Sequence, residues 1–506
     1  MVYSIKNVLN RLDGQVVWSY VVTAIISLIS PVLIAILTRE LGVAQFGIYS
    51  LLAVSINVSS VVLDLGIAHY VMTHLSGCSE NERTQVFCSL LAFYALFLIA
   101  VGVIILATPL KVVIASWLGL ETVRPIEIAV GVVVLSVFSR ICTGLLASKK
   151  EIGKSRFIFL LSQSLMGIII ICYFLTGHPL NSVLLVMDAW IVGAGITLAT
   201  AVVFIRKNIG KASLNLRIVL NALAFGTPLI LGVAGSWIME IGDRYVLNSF
   251  LGAGTVGLYS VGYGLMMLVG SLGTLILETK FPFVADAWNL KKNWKREAYA
   301  ALRMSYWVVV PVSVFFCWQA ENLVFLAGGS QFVAAAGVIR SLAVYPFIAV
   351  VNLVFYQLVL LKRTTREITI AYVTGGVLNI ATNILLIPYF GMIGSGIATV
   401  FSYAIVALLL QRGLREIISW TTVLQVRHVG LLLISALGAV VMMKILFAIP
   451  WMIGFSEERT LIISFRNLFF LALRAGMYGM FGLMNYWLLN KLLNITCLIP
   501  SNSEDL

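Results

Sequence analysis

Long apolar runs alternate with short polar connections along the whole chain. A membrane-spanning helix needs about 20 mostly apolar residues, because the hydrocarbon layer is about 30 Å thick and each helical residue rises 1.5 Å. Fourteen segments meet this requirement, at 16–38, 46–73, 84–108, 125–147, 156–176, 181–205, 218–249, 253–278, 298–320, 333–361, 367–388, 391–411, 428–449 and 463–490. The runs are continuous rather than alternating over about ten residues, so helices are expected and a barrel is not. The pattern predicts an all-α polytopic membrane protein with about 14 transmembrane helices.

A repeat organises them. Residues 41–50 read LGVAQFGIYS and residues 251–260 read LGAGTVGLYS, with Leu41, Gly42, Gly47, Tyr49 and Ser50 identical to Leu251, Gly252, Gly257, Tyr259 and Ser260. Each copy falls in a turn between an outgoing and a returning helix. An even number of helices separates them, so the halves are parallel rather than inverted. The expected organisation is a six-helix bundle at 1–210, a second at 211–424, and two further helices with a short tail at 425–506. Parallel halves of this kind enclose a central cavity and expose it alternately to each face. Pro31 and Pro228 each remove a backbone donor and can kink the first and seventh helices, either as moving gate elements or as fixed bends.

Composition adds that 60% of residues are hydrophobic and 11% charged, against about a quarter charged in soluble domains. No polar stretch is long enough for a separate soluble domain. The net charge of +13 is scattered through connections rather than gathered on one face, so it speaks for topology and not for nucleic-acid binding. Lys149, Lys150, Lys154 and Arg156, then Arg206, Lys207, Lys211 and Arg217, then Lys291, Lys292, Lys295 and Arg296 fall on one side. Arg39, Lys111, Arg124, Arg244, Arg459 and Arg466 fall on the other. The positive-inside rule then places both termini in the cytoplasm. The six cysteines lack C-x-x-C spacing and are expected as free thiols. The four histidines show no ligand spacing, and no P-loop, G-x-S-x-G or G-x-G-x-x-G motif is found. No catalytic residue, metal or cofactor is expected.

The stretch LTRELGVAQFGIYSLL, the LDLGIAHYV at 63–71 and the PYFGMIGSGIATVFSY at 388–403 resemble bacterial polysaccharide flippases of the Wzx type. These belong to the multidrug/oligosaccharidyl-lipid/polysaccharide exporter superfamily. The resemblance implies two six-helix bundles with two extra C-terminal helices, in a bacterial inner membrane. It implies an O-antigen or related repeat unit linked to undecaprenyl pyrophosphate as cargo, moved from the cytoplasmic to the periplasmic leaflet. Other polysaccharide-assembly membrane proteins are implied as partners. Two alternatives stay open: a cation-coupled drug antiporter of the same superfamily, and a polytopic polysaccharide polymerase. The polymerase is disfavoured by the short external connections near 109–124 and 450–462.

An ionisable group at bilayer depth costs about 2.5–3.5 kcal/mol on insertion scales, so each is expected to face the protein or a water-filled cavity. Arg140 and Arg340, on corresponding helices of the two halves, are substrate-cavity candidates suited to pyrophosphate, or else members of structural salt bridges. Arg303 is a weaker cavity candidate near the cytoplasmic face. Asn379 and Asn383, four apart on one helix face, can bond a sugar or bridge helices. Asp64, Asp188 and Glu240 can carry a coupling proton or sodium ion. Glu240, Asp243 and Arg244 can instead form an ion-pair cluster closing an external gate. Lys444 and Arg474, in the last two helices, can contact the lipid phosphate or pair structurally. Those two helices can guide the lipid tail or serve as peripheral packing. Gly476, Gly479 and Gly482 suggest close helix packing.

Overall fold

The computed structural model describes residues 14–206, 210, 214–447 and 461–492, with side chains outside the description at 14–28, 31, 228–234, 446–447, 461–470 and 491–492. The Pro31 and Pro228 side chains and the 450–460 connection therefore lie outside the described residues. Those described are mostly helical, with no strand among them. In chain order the helices are α1 (Gly14–Val62), α2 (Ile67–His74), α3 (Glu80–Ala107), α4 (Leu110–Leu118), α5 (Arg124–Ser148), α6 (Ile152–Leu175), α7 (Val183–Ile205) and α8 (Leu216–Asn289). There follow α9 (Trp294–Trp318), α10 (Ala320–Gly328), α11 (Ala336–Ser341), α12 (Tyr345–Lys362), α13 (Thr365–Leu414), α14 (Trp420–Leu424), α15 (Val426–Phe447) and α16 (Leu461–Leu492).

Among the described residues, 10 helical stretches are long and apolar enough to cross a membrane. Large apolar side chains such as Leu96, Ile99, Val103 and Ile104 point outward from α3, an arrangement stable against lipid and costly against water. All fourteen expected segments coincide with helix in whole or part, and two need correction. The segment 46–73 is interrupted between Val62 and Ile67, where Leu65 and Gly66 take φ of 50° and 69°. The segment 333–361 is a 3-10 turn (Ser330–Ala335), then α11, then a separate spanning helix α12 that begins at Tyr345 with Pro346 in its first turn. Both errors arise because hydropathy reports an apolar run and not the conformation of the backbone within it.

The double-length helices are each two limbs meeting at one glycine: Gly42 (φ 71°, ψ 178°), Gly252 (φ 78°, ψ 171°) and Gly391 (φ 58°, ψ −139°). Only glycine occupies the region taken by Gly42 and Gly252 without large strain. These two are the matching glycines of the repeat, and their backbones agree within a few degrees. At Gly252 the chain doubles back, since Asp243 and Tyr259 touch, whereas 16 residues of straight helix would span about 24 Å.

Local signals set the other ends. Ser79 and Glu82 form a capping box at the start of α3, where Glu80 and Glu82 also oppose the helix dipole. Pro125 opens α5, and Gly119 with φ 72° closes α4.

The helices form two compact units, 1–234 with 252–257, and 235–251 with 258–506. In the first, α5 is the central helix, touching α1, α2, α3, α4, α6 and α7. In the second, α9 packs on α12 and on the C-terminal pair α15 and α16. Phe315 and Leu323 meet Ala436, Ala439, Leu471 and Tyr478 there, and the Tyr478 hydroxyl donates to the Pro311 carbonyl at 2.9 Å. Among the described residues, Gly476, Gly479 and Gly482 have nothing within 4 Å of where a Cβ would lie, so close packing through them is not seen there.

Candidate functional site

Within the first unit, the stretch from Val43 to Gly47 and the stretch from Ala253 to Gly257 lie backbone to backbone. A Cβ on Gly47 would sit 1.7 Å from the Ala253 carbonyl oxygen, and one on Gly257 would sit 2.4 Å from the Val43 oxygen. Val43 and Ala253 are themselves repeat equivalents, so the contact is self-complementary, as across a local two-fold axis. A second crossing joins the α1–α2 break to the first limb of α8. There a Cβ on Gly226 would lie 1.9 Å from the Leu65 oxygen, and Phe225 lies against Tyr70 and His74, with ring centroids 5.8 Å and 4.9 Å apart. From Gly47 to Val62 the second limb of α1 rises about 22 Å, most of the hydrocarbon thickness, and the break at Leu65–Gly66 follows it.

The α1–α2 break carries Asp64, which is 6% exposed. Its Oδ1 has no hydrogen-bond partner among the described residues, while the carboxylate accepts the Ala68 backbone N–H. The Tyr94 hydroxyl donates to the Asp64 main-chain carbonyl, so α3 braces the break without neutralising the carboxylate. Arg140, exposed on α5, is the foremost positive charge acting on Asp64, and the His69 ring lies on the same side of the break. Geometry agrees: Gly144, one turn beyond Arg140, meets the Ala68 backbone, with a Cβ position 2.7 Å from the Ala68 oxygen, and residues four apart share a helix face.

The second unit holds a different cluster. Asp243 is fully buried and Arg244 is 7% exposed. Arg244 Nη1 donates to Asp243 Oδ1 at 3.2 Å and to the Glu240 carbonyl at 2.7 Å. The Tyr259 hydroxyl donates to Asp243 Oδ2 at 2.5 Å and lies 3.4 Å from Thr399 Oγ1. The guanidinium stacks 4.6 Å from the Tyr263 ring centre, a cation–π contact strengthened by desolvation. Beside α8, Gly235 and Gly376 let α13 approach closely. On that helix Asn383 Nδ2 donates to the Asn379 carbonyl at 2.8 Å and to its Oδ1 at 3.1 Å. Asn379 Nδ2 and Asn383 Oδ1 are buried without partners among the described residues.

The structure thus joins Glu240, Asp243 and Arg244, pairs Asn379 with Asn383, and associates Asp64 with Arg140. Arg244, counted from the sequence among the external basic residues, lies inside α8, where it pairs with Asp243. Arg340, expected within the span 333–361, lies on the short α11 before the spanning helix α12. It is 51% exposed there and bound to Glu321 at 2.9 Å. Arg303 and Asp188 are half-buried on α9 and α7, and Lys444 is exposed on α15. Arg474 Nη1 donates to Gln319 Oε1 at 3.3 Å, at the C-terminal end of α9. The tyrosines around Arg244 escaped the sequence reading, although the repeated Tyr49 and Tyr259 were the available signal.

Helices of spanning length, a duplicated corner motif and buried charges inside apolar bundles define an all-α polytopic membrane protein of transporter architecture. The chain belongs to the family described as "Polysaccharide biosynthesis protein", whose model matches residues 36–337. It is 22% identical over 444 residues, 86% of this chain and 89% of the relative, to the "Probable low-salt glycan biosynthesis flippase Agl15" of Haloferax volcanii. A 201-residue stretch, 38% of this chain and 39% of the relative, is 25% identical to an uncharacterized membrane protein of Methanocaldococcus jannaschii. The fold is that of the lipid II flippase MurJ in an inward closed conformation, with TM-score 0.73, 12% identity, and coverage of 94% of this chain and 99% of that one. An inward-facing multidrug resistance MATE family transporter of the MOP superfamily gives TM-score 0.64 at 13% identity, covering 77% and 93%.

Proposed function

We propose that this chain is a flippase for a lipid-linked oligosaccharide. Its cargo is an O-antigen or related repeat unit on undecaprenyl pyrophosphate, carried from the cytoplasmic to the periplasmic leaflet of an inner membrane, with both termini of the chain cytoplasmic. The observation that carries this is the near end-to-end alignment with a protein named as a glycan biosynthesis flippase, on a fold shared with a lipid II flippase. The drug-antiporter alternative is less well supported, because the MATE fold covers 77% of the chain where the MurJ fold covers 94%.

The chemistry of such a cargo asks for little catalysis. Sugars cannot cross hydrocarbon and the pyrophosphate is charged, but the lipid tail never leaves the bilayer. The protein must shield the polar part and open to one face at a time. The crossings at Gly47/Gly257 and at Leu65–Gly66/Gly226 lie at opposite ends of the second limb of α1 and suit this task, one near each face. Arg140, with its guanidinium exposed at membrane depth, suits the anionic group.

Deleting the gene tests the reading. Lipid-linked oligosaccharide is expected to accumulate in the cytoplasmic leaflet and surface glycan to fall. A normal surface glycan in a strain that also lacks any second flippase would sink the proposal.

A further inference from the structure

Asp64 is the one acid of the first unit's α1–α2 break, and its position is unusual. Burial removes water, Oδ1 lacks a partner, and no cation lies within ion-pair distance of it among the described residues. Tyr94 spends its hydroxyl on the main-chain carbonyl. An ionised carboxylate in such a place needs a remote positive charge, and Arg140 is the foremost one. The other titratable groups facing it are His69 on α2 and Tyr94 on α3. From α8 the break meets Gly226 and Phe225, which carry no charge. Arg140, for its part, has no hydrogen-bond partner for its guanidinium among the described residues, so its donors are free to grip an anion in a bidentate manner.

We infer that Asp64 and Arg140 link proton binding to anion binding: when the phosphate-bearing group of the cargo engages the Arg140 guanidinium, the Asp64 carboxylate takes up a proton. The anion offsets the field that had sustained the buried carboxylate, and bulk water on the open side supplies the proton. Departure of the anion restores the field and expels it. Because such coupling is reciprocal, protonating Asp64 tightens anion binding by the same factor. Proton and cargo therefore load together, and the occupied carrier holds less net charge than the anion alone would give it. This rests on the reading of a pyrophosphate-bearing cargo.

Calorimetric titration of the detergent-purified full-length protein with farnesyl pyrophosphate, in buffers of different ionisation enthalpy, counts the protons taken up per ligand bound. The ligand's own protonation contributes equally to wild type and to Asp64→Asn, whose amide oxygen can still accept the Ala68 N–H. Wild type is expected to take up a larger share of a proton, approaching one at the optimal pH, and Asp64→Asn to show no such excess. Arg140→Gln is expected to bind about tenfold or more weakly. Its infrared spectrum should contain a protonated-carboxyl band without ligand, a band absent from the Asp64→Asn/Arg140→Gln double variant. The appearance of the band in Arg140→Gln, compared with wild type, needs only the exposed Arg140 position to be altered, so this part of the test stands even if variants carrying Asp64→Asn fold poorly. Equal proton counts in wild type and Asp64→Asn, or no carboxyl band in Arg140→Gln, overturns the linkage while leaving the cargo reading intact. Failure of wild type to bind farnesyl pyrophosphate overturns both.

Discussion

Substituting Gly47 with alanine puts the repeat crossing under a defined steric load. The added Cβ would lie 1.7 Å from the Ala253 carbonyl oxygen and 2.6 Å from its carbon, where carbon and oxygen rest at about 3.3 Å. The two segments must part by about 1.6 Å, and the obstructing atoms are backbone, which cannot rotate aside. Overpacking of this kind costs about 1–3 kcal/mol. Alanine is also about 1 kcal/mol better than glycine within a helix, but that gain is present whether or not the segments are crossed. It raises the stability of the fold without favouring the contact. The crossed state should therefore lose ground to an uncrossed one by about 5- to 150-fold. A cysteine pair at Val43 and Gly254 reads this directly, because a Cβ on Gly254 would lie 3.8 Å from Val43 Cγ1. The disulfide, mapped by mass spectrometry to separate it from the six native cysteines, is expected to form readily in the parent protein and poorly with Gly47→Ala. Export should fall while thermal unfolding in detergent stays unchanged or rises. Undiminished cross-linking together with normal export would refute the argument.

Other outcomes follow from the same geometry. Gly226→Ala would bring a Cβ within 1.9 Å of the Leu65 oxygen and is expected to impair export with normal membrane insertion; export at the parental rate would show that the α1–α2 break need not close on α8. Tyr259→Phe removes the donor to Asp243 and should lower stability by about 1.5–3 kcal/mol, the range for hydrogen bonds to charged groups, visible as a lower melting temperature in detergent. Arg340→Gln breaks a largely exposed ion pair with Glu321, worth about 0–1 kcal/mol. Melting should barely change, so an accompanying loss of export would point to cargo contact, and a large drop in melting temperature would contradict the surface placement.

The sequence made the spanning segments legible because a continuous apolar run of about 20 residues has few alternatives in a membrane. It also revealed the repeat, since Gly42 and Gly252 answer to a backbone geometry that other residues avoid. The break at Val62–Ile67 was hidden because VVLDLGIAHYV stays apolar through it, with Gly66 the single hint. Residues 333–361 misled for the same reason, and with them the depth assigned to Arg340. Clustering was the hardest part to foresee. Asp64 and Arg140 lie far apart in the sequence, and only the close approach of Gly144 to Ala68 connects them. The partnership of Asp243 with Tyr259 likewise depends on how the chain folds back at Gly252.

The duplicated scaffold carries different chemistry in its two copies. The repeat equivalents of Asp243, Arg244 and Tyr259 are Leu33, Ile34 and Tyr49, and that of Asp64 is Thr274, so each acidic cluster was installed in one copy alone. One is compensated, with Asp243 bound by Arg244 and Tyr259; the other is not, with Oδ1 of Asp64 unpartnered. Removing one member of a buried pair strands the other and costs about 3–5 kcal/mol. Removing an already uncompensated carboxylate deletes a desolvation penalty instead. Asp243→Asn should therefore lower the melting temperature sharply, whereas Asp64→Asn should leave it unchanged or raise it while suppressing the pH dependence of export. If Asp64→Asn destabilises the protein as much as Asp243→Asn does, the Asp64 carboxylate has a structural partner and its assignment as the proton-linked group fails.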